Sequence, residues 1–155
     1  AMTGWRVGYC YGPEWLMPQL IKVVNYSTTC VSSVGQRAAL AAILGDQAPF
    51  RTMREAFADR VDLVWKRIQK MDGLRAHKPG GSFYVFVDIR QINQDSTAFA
   101  TDLLDRERVV VIPGVAFGRS GEGFVRIACT QDGSVLDEAM DRLERFIGQR
   151  GYEPR

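Results

Sequence analysis

Histidine is nearly missing from this sequence and cysteine is scarce. The one histidine is His77, and the three cysteines, Cys10, Cys30 and Cys129, lie far apart in the chain. Scattered thiols and a lone imidazole argue against a closed zinc site, so no metal is expected. An odd, dispersed cysteine set also argues against a disulfide framework, and the three thiols read as small buried side chains in a reducing compartment. A histidine-based nucleophile relay would have to rest on His77 alone, beside Lys78-Pro79-Gly80-Gly81. No apolar run approaches the roughly 18 residues of a membrane-spanning helix. The opening residues, Ala1 to Arg6, lack the charged-then-apolar layout of a secretory leader. A net charge of +2, with arginines scattered along the chain, gives no basic stripe for a phosphate backbone. The expectation is a chain with no nucleic-acid and no membrane partner.

What remains is ordinary globular composition. The 155 residues are 46% hydrophobic and 25% charged, which suits one domain or a large piece of one. Met2 to Cys10 is a tight, mostly apolar, strand-like run placed directly at the start. Chain ends usually lie in loose surface segments, so this run is expected to continue a longer chain.

The periodicity predicts the elements. Val7–Tyr11 reads as a short buried strand bounded by Gly4 and Gly12-Pro13. Pro13 suits the first position of a helix running through Leu16, Leu20 and Val24, with Pro18 still in its first turn. Tyr26 to Ser33 is a polar break, and Val34 to Leu44 an alanine-rich helix stopped by Gly45. Between Phe50 and Met71, Phe57, Val61, Val64 and Ile68 recur at three- and four-residue steps and share one helical face. From Gly81 to Ile89 the period changes to that of a strand rich in aromatic and β-branched residues. A helix from Ser96 to Arg106, with Ser96 a candidate cap, precedes strands at Val109–Ile112 and Phe124–Cys129. A last helix carries Leu136, Met140, Leu143 and Phe146 inward. The fold class expected is α/β: a small mixed sheet with helices packed on it, preceded by a strand and helices of a different unit. The boundaries fall at 1–45, 46–148 and a flexible tail, 149–155.

Three residues attract a chemical reading. Arg126 stands inside the apolar strand Phe124-Val125-Arg126-Ile127. Burying its charge is costly unless an internal acid or a ligand carboxylate meets it. Arg6, in Gly4-Trp5-Arg6-Val7, is either a surface arginine at a strand edge or a fork for phosphate oxygens. Phe83, at the turn-to-strand step Gly81-Ser82-Phe83, reads from the residues as a core aromatic. Other candidates fail. Gly118-x-x-Gly121-x-Gly123 has the wrong spacing for a dinucleotide turn, and no helix follows it. Lys22, Lys66, Lys70 and Lys78 lie on polar helix faces or in a loop, where a lysine keeps its solvated charge.

Four stretches, in order, resemble the class I/II aminotransferases, the fold-type-I enzymes dependent on pyridoxal 5'-phosphate. They are Ala1-Met2-Thr3-Gly4-Trp5-Arg6-Val7-Gly8-Tyr9, Pro79-Gly80-Gly81-Ser82-Phe83-Tyr84, Val110 to Gly118, and Phe124-Val125-Arg126-Ile127-Ala128. The wording Ala-Met-Thr-Gly-Trp-Arg is most similar to the aspartate-aminotransferase-like branch. The resemblance implies that the chain is the C-terminal portion, with residues 1–45 the end of the large cofactor-binding domain and 46–148 the small domain. It implies that Arg6 holds the cofactor phosphate, that Arg126 pairs with the substrate's α-carboxylate, and that Phe83 lies near the substrate side chain. The Schiff-base lysine would lie three residues before Ala1, so no catalytic residue is expected in the chain and the 155 residues alone are expected to be inactive. The intact protein is expected to be a cytoplasmic homodimer that moves an amino group between an amino acid and a 2-oxo acid. The Ser27-Thr28-Thr29 break resembles a segment that approaches the partner subunit in family dimers. Two other readings share the resemblance: a C–S lyase or synthase on the same fold, and the effector domain of a transcription regulator.

Overall fold

The computed structural model describes residues 2–148, and the tail expected at 149–155 lies outside the described residues. The chain divides into two compact units between Met53 and Arg54.

The first unit holds a 3-10 turn at Thr3–Trp5, helix α1 at Met17–Ser27, helix α2 at Ser33–Leu44 and the start of helix α3, Ala48–Ile68. Pro18 sits in the first turn of α1, where its missing N–H costs nothing. The Ser32 hydroxyl accepts from the Gly35 N–H at 3.4 Å and caps α2. Gly45 closes that helix by donating to the Ala41 carbonyl at 2.9 Å.

Two expectations fail here. Val7–Tyr11 is irregular, not a buried strand, and Tyr9 and Tyr11 are exposed. A strand exists through hydrogen bonds to a neighbour, and none of the described residues supplies one. Cys10 and Cys30 are exposed, and only Cys129 is buried. The cause is shared: among the described residues up to Met53, Gly35 alone is buried, so this stretch has no apolar core to receive a thiol or a strand. Burial instead pushes the Cys129 thiol, in the second unit, up to about 11.

The second unit is a four-stranded sheet in the order β1-β2-β4-β3, with β1 at Arg75–Ala76, β2 at Tyr84–Asp88, β3 at Ile112–Pro113 and β4 at Phe124–Ala128. Every neighbouring pair is antiparallel, which corrects the expected mixed sheet. The helix between β2 and β3, α4 at Ser96–Glu107, suggested a parallel pair. Those two strands do run parallel, but β4 lies between them and is antiparallel to both, a split β-α-β arrangement. β3 spans Ile112–Pro113 where Val109–Ile112 was expected, and it includes Pro113, which is tolerated because β3 lies at the sheet edge.

Side chains alternate across the sheet. Val85, Val87, Val125 and Ile127 face a buried cluster with Val61, Val64 and Ile68 of α3 and Phe99 and Leu103 of α4. The last helix, α5 at Gly133–Gly148, adds Leu136, Met140, Leu143 and Phe146. Tyr84, Phe86, Phe124 and Arg126 therefore occupy the opposite face, and none of them belongs to that cluster. The cap of α4 is Asp95, whose carboxylate accepts from Thr97 and Ala98 N–H at 2.9 Å each, not Ser96 as expected. Ser96 is fully buried; its N–H donates to Glu122 at 2.7 Å and its hydroxyl accepts from the Val115 N–H at 3.5 Å. The Ser96 N–H is also the main reason that the Glu122 carboxyl lies below its ordinary range.

One close approach fixes the loop before β4. A Cβ on Gly121 would lie 2.1 Å from the Gly114 carbonyl oxygen, and one on Gly114 would lie 2.0 Å from the Gly121 oxygen. Two backbones meet where only glycine fits. Gly121→Ala is therefore expected to lower unfolding stability by roughly 1–3 kcal/mol. Denaturant unfolding checks this, and an unchanged midpoint would contradict it.

Candidate active site

Arg126 sits in the middle of β4, opposite Phe86 of β2 and Ile112 of β3. Val125 and Ile127 on either side drive β4 into the sheet, and strand alternation turns Arg126 to the face that lacks the aliphatic core. Its guanidinium carbon lies 4.1 Å from the centroid of the Tyr84 ring and 4.6 Å from that of Phe117. Its Nε is buried and has no hydrogen-bond partner.

The sequence left open whether an internal acid meets this charge. Among the described residues, no carboxylate lies within ion-pair distance of Arg126. Several other arginines of the unit, though not all, are paired. Arg60 meets Asp132 at 2.7 Å, Arg90 meets Asp88 at 2.6 Å, and Arg67 meets Asp137, Asp141 and Glu144. The Arg90 guanidinium holds the Asp88 carboxyl below its ordinary range. A desolvated charge costs several kcal/mol, and each ring contact returns about 0.5–2 kcal/mol. The two rings thus offset part of the cost for a half-buried guanidinium without supplying an anion.

The rings form a row. Phe117 meets Phe86 edge-on at 6.2 Å, and Phe86 stacks on Phe124 at 5.2 Å. On the other side Tyr84 lies 4.4 Å from Phe83, which lies 5.4 Å from Phe57 of α3. Phe83 is half-buried, and its carbonyl accepts from the Cys129 N–H at 2.8 Å, carrying the β2–β4 pairing one step further. Phe83 and Arg126 are thus one ring apart, linked by Tyr84. Sequence reasoning missed Tyr84 and Phe117. The alternation of Tyr84-Val85-Phe86 marks one aromatic face, but only the register with β4 shows that this face carries Arg126.

Arg6 belongs to the first unit. It follows the 3-10 turn in a left-handed conformation, φ 53°, and its Nη1 donates to the Thr3 carbonyl at 3.2 Å. No ion pair among the described residues includes it. Most of its five donors stay open, so the side chain fits a phosphate by donor chemistry. No group of three histidine, cysteine or acidic side chains fit for a metal occurs among the described residues. A cleft of 540 Å³ beside β3 and α5 is lined by Val109–Val111, Ile127 and Leu143, and contains none of Arg126, Tyr84, Phe83 or Phe117.

Comparison with known proteins gives the kinship. The model of the family "Aminotransferase class I and II" matches residues 1–143. The chain is 38% identical over 152 residues to aromatic-amino-acid aminotransferase 2 of Thermococcus litoralis, covering 97% of this chain and 39% of that protein. It is 38% identical over 152 residues to an aspartate aminotransferase of Pyrococcus abyssi, with the same coverage, 97% and 39%. The crystal structure of an aromatic aminotransferase from Pyrococcus horikoshii superposes with a TM-score of 0.84 at 40% identity, covering 96% of this chain and 40% of that one. The chain thus spans about 39% of the length of the curated relatives it matches.

An arginine that lacks an internal acid is a burden on the fold when no ligand is bound. Arg126→Met, which keeps the length and apolar contact of the side chain, is expected to leave the melting temperature of the ligand-free protein unchanged or higher. Thermal denaturation decides this; a drop like that of a cavity-forming core substitution would show that the charge is held by the protein itself.

Proposed function

The chain belongs to the class I and II aminotransferases, and from that premise we propose that it forms the carboxyl-terminal part of an enzyme that moves an amino group between an amino acid and a 2-oxo acid. Arg126 carries the reading. Among the described residues no carboxylate pairs with its half-buried guanidinium, and an α-carboxylate common to amino acids and 2-oxo acids is the anion that would complete it. Holding that carboxylate fixes the orientation of the bonds at the substrate's Cα, which is worth far more to the rate than the contact itself. Phe83, one ring from Arg126, would line the space for the substrate side chain.

Residues 1–45 are read as the end of the larger domain and 46–148 as the small domain. Arg6 would grip the phosphate of pyridoxal 5'-phosphate with the N–H donors not engaged at Thr3. When bound, that cofactor supplies the electron sink for the bond broken at Cα. The lysine that carries it, and the acid and aromatic that tune its ring, would come from the larger domain, so the 155 residues alone would not transaminate. The intact enzyme is read as a cytoplasmic homodimer; among the described residues no helix is long and apolar enough to cross a membrane. The lyase, synthase and regulator readings are not favoured, since the relatives named above are aminotransferases.

The test is direct. The intact protein, loaded with pyridoxal phosphate and given 2-oxoglutarate, is expected to form glutamate from at least one of L-aspartate, L-phenylalanine and L-alanine. Arg126→Ala should lower kcat/KM by on the order of 100-fold, as for a charge left without its buried partner. Release of pyruvate and sulfide or ammonia from a sulfur amino acid, with no glutamate formed, would move the assignment to a lyase.

A further inference from the structure

The two rings over Arg126 need a reason of their own. An arginine on the open face of a small sheet has a long side chain with rotatable bonds and would ordinarily spread over many rotamers, losing entropy on being fixed. Here Tyr84 comes from β2, two residues from the one directly opposite Arg126, and Phe117 comes from the loop after β3. Both place their rings within cation–π reach, 4.1 Å and 4.6 Å from the guanidinium carbon. The loop that carries Phe117 is itself pinned: Gly114 and Gly121 touch backbone to backbone, and Ser96, fully buried, accepts from the Val115 N–H. Phe86 then braces Phe117 edge-on.

We infer that Tyr84 and Phe117 are positioning residues for the substrate carboxylate: they hold the Arg126 guanidinium at one place and in one plane before any ligand arrives. The inference rests on the reading of Arg126 as a carboxylate fork. A planar fork gains from two parallel hydrogen bonds only when its plane matches that of the carboxylate. A guanidinium that the rings hold in place loses less freedom on binding, so the rings act on affinity for the carboxylate without touching the reacting atoms. Their contribution is set by ring faces. Tyr84→Phe and Phe117→Tyr keep it, whereas Tyr84→Leu and Phe117→Leu remove it.

The experiment compares these four variants and Arg126→Ala in the intact, cofactor-loaded protein. The probe is propionate, a carboxylate with no amino group, measured as a competitive inhibitor against the amino-acid substrate. Each leucine variant is expected to raise the propionate inhibition constant and the KM by about tenfold, with kcat changed by less than about threefold. The ring-keeping variants should stay near wild type. If Phe117→Leu does not fold, Phe117→Met, which keeps volume without a ring face, takes its place. A large loss in Arg126→Ala with leucine variants that bind propionate like wild type would overturn the positioning role and leave the carboxylate reading standing. Losses shared equally by the leucine and ring-keeping variants would also overturn it, because packing and not the ring face would then matter. An unchanged inhibition constant in Arg126→Ala would sink the carboxylate reading and this inference with it.

Discussion

Taking the Arg126 guanidinium part-way out of water costs several kcal/mol unless an anion meets it, and among the described residues no carboxylate does. Other arginines of the same unit are paired with carboxylates. Arg67 alone gathers three acidic side chains from α5. Arg126 instead receives aromatic faces, which lower the cost of the charge without neutralising it. Among the described residues, Arg126 thus meets ring faces where the paired arginines meet carboxylates.

The rest of the second unit serves that placement. The aliphatic face of the sheet, with Val125 and Ile127 of β4, packs on three helices. Antiparallel pairing of β4 with both neighbours sets Arg126 opposite Phe86 and Ile112, away from the edge. The Gly114–Gly121 contact turns the chain tightly enough for Phe117 to come over the guanidinium. A substitution at either glycine thus acts on fold and site together, through one loop.

Much of this was legible in the residues. The long helix around Val61, Val64 and Ile68 and the strands at Tyr84–Asp88 and Phe124–Ala128 follow from period alone, because their apolar positions repeat cleanly. The charge inside Phe124-Val125-Arg126-Ile127 marked Arg126 before any geometry. Strand order was not legible. A helix between two strands suggests a parallel pair, and nothing local to the sequence tells that a later strand inserts between them. Tyr84 and Phe117 were invisible for the same reason, since their meeting with Arg126 depends on register and on a loop. Val7–Tyr11 shows the opposite limit: its strand-like pattern is real, but a strand forms only where a neighbour is present.

The most direct test is ligand-dependent stability of the intact protein, because it needs no knowledge of which amino acid is the substrate. A ligand that binds only the folded state stabilises it by RT ln(1 + [L]/Kd), so the melting temperature keeps rising with the logarithm of ligand concentration above Kd. Melting is followed in rising propionate, at constant ionic strength set with chloride, for the wild type and for Arg126→Met. The account predicts a rise in the wild type that grows with the logarithm of propionate concentration, and none in Arg126→Met. Equal rises in both proteins would place the carboxylate elsewhere and contradict the central role given to Arg126.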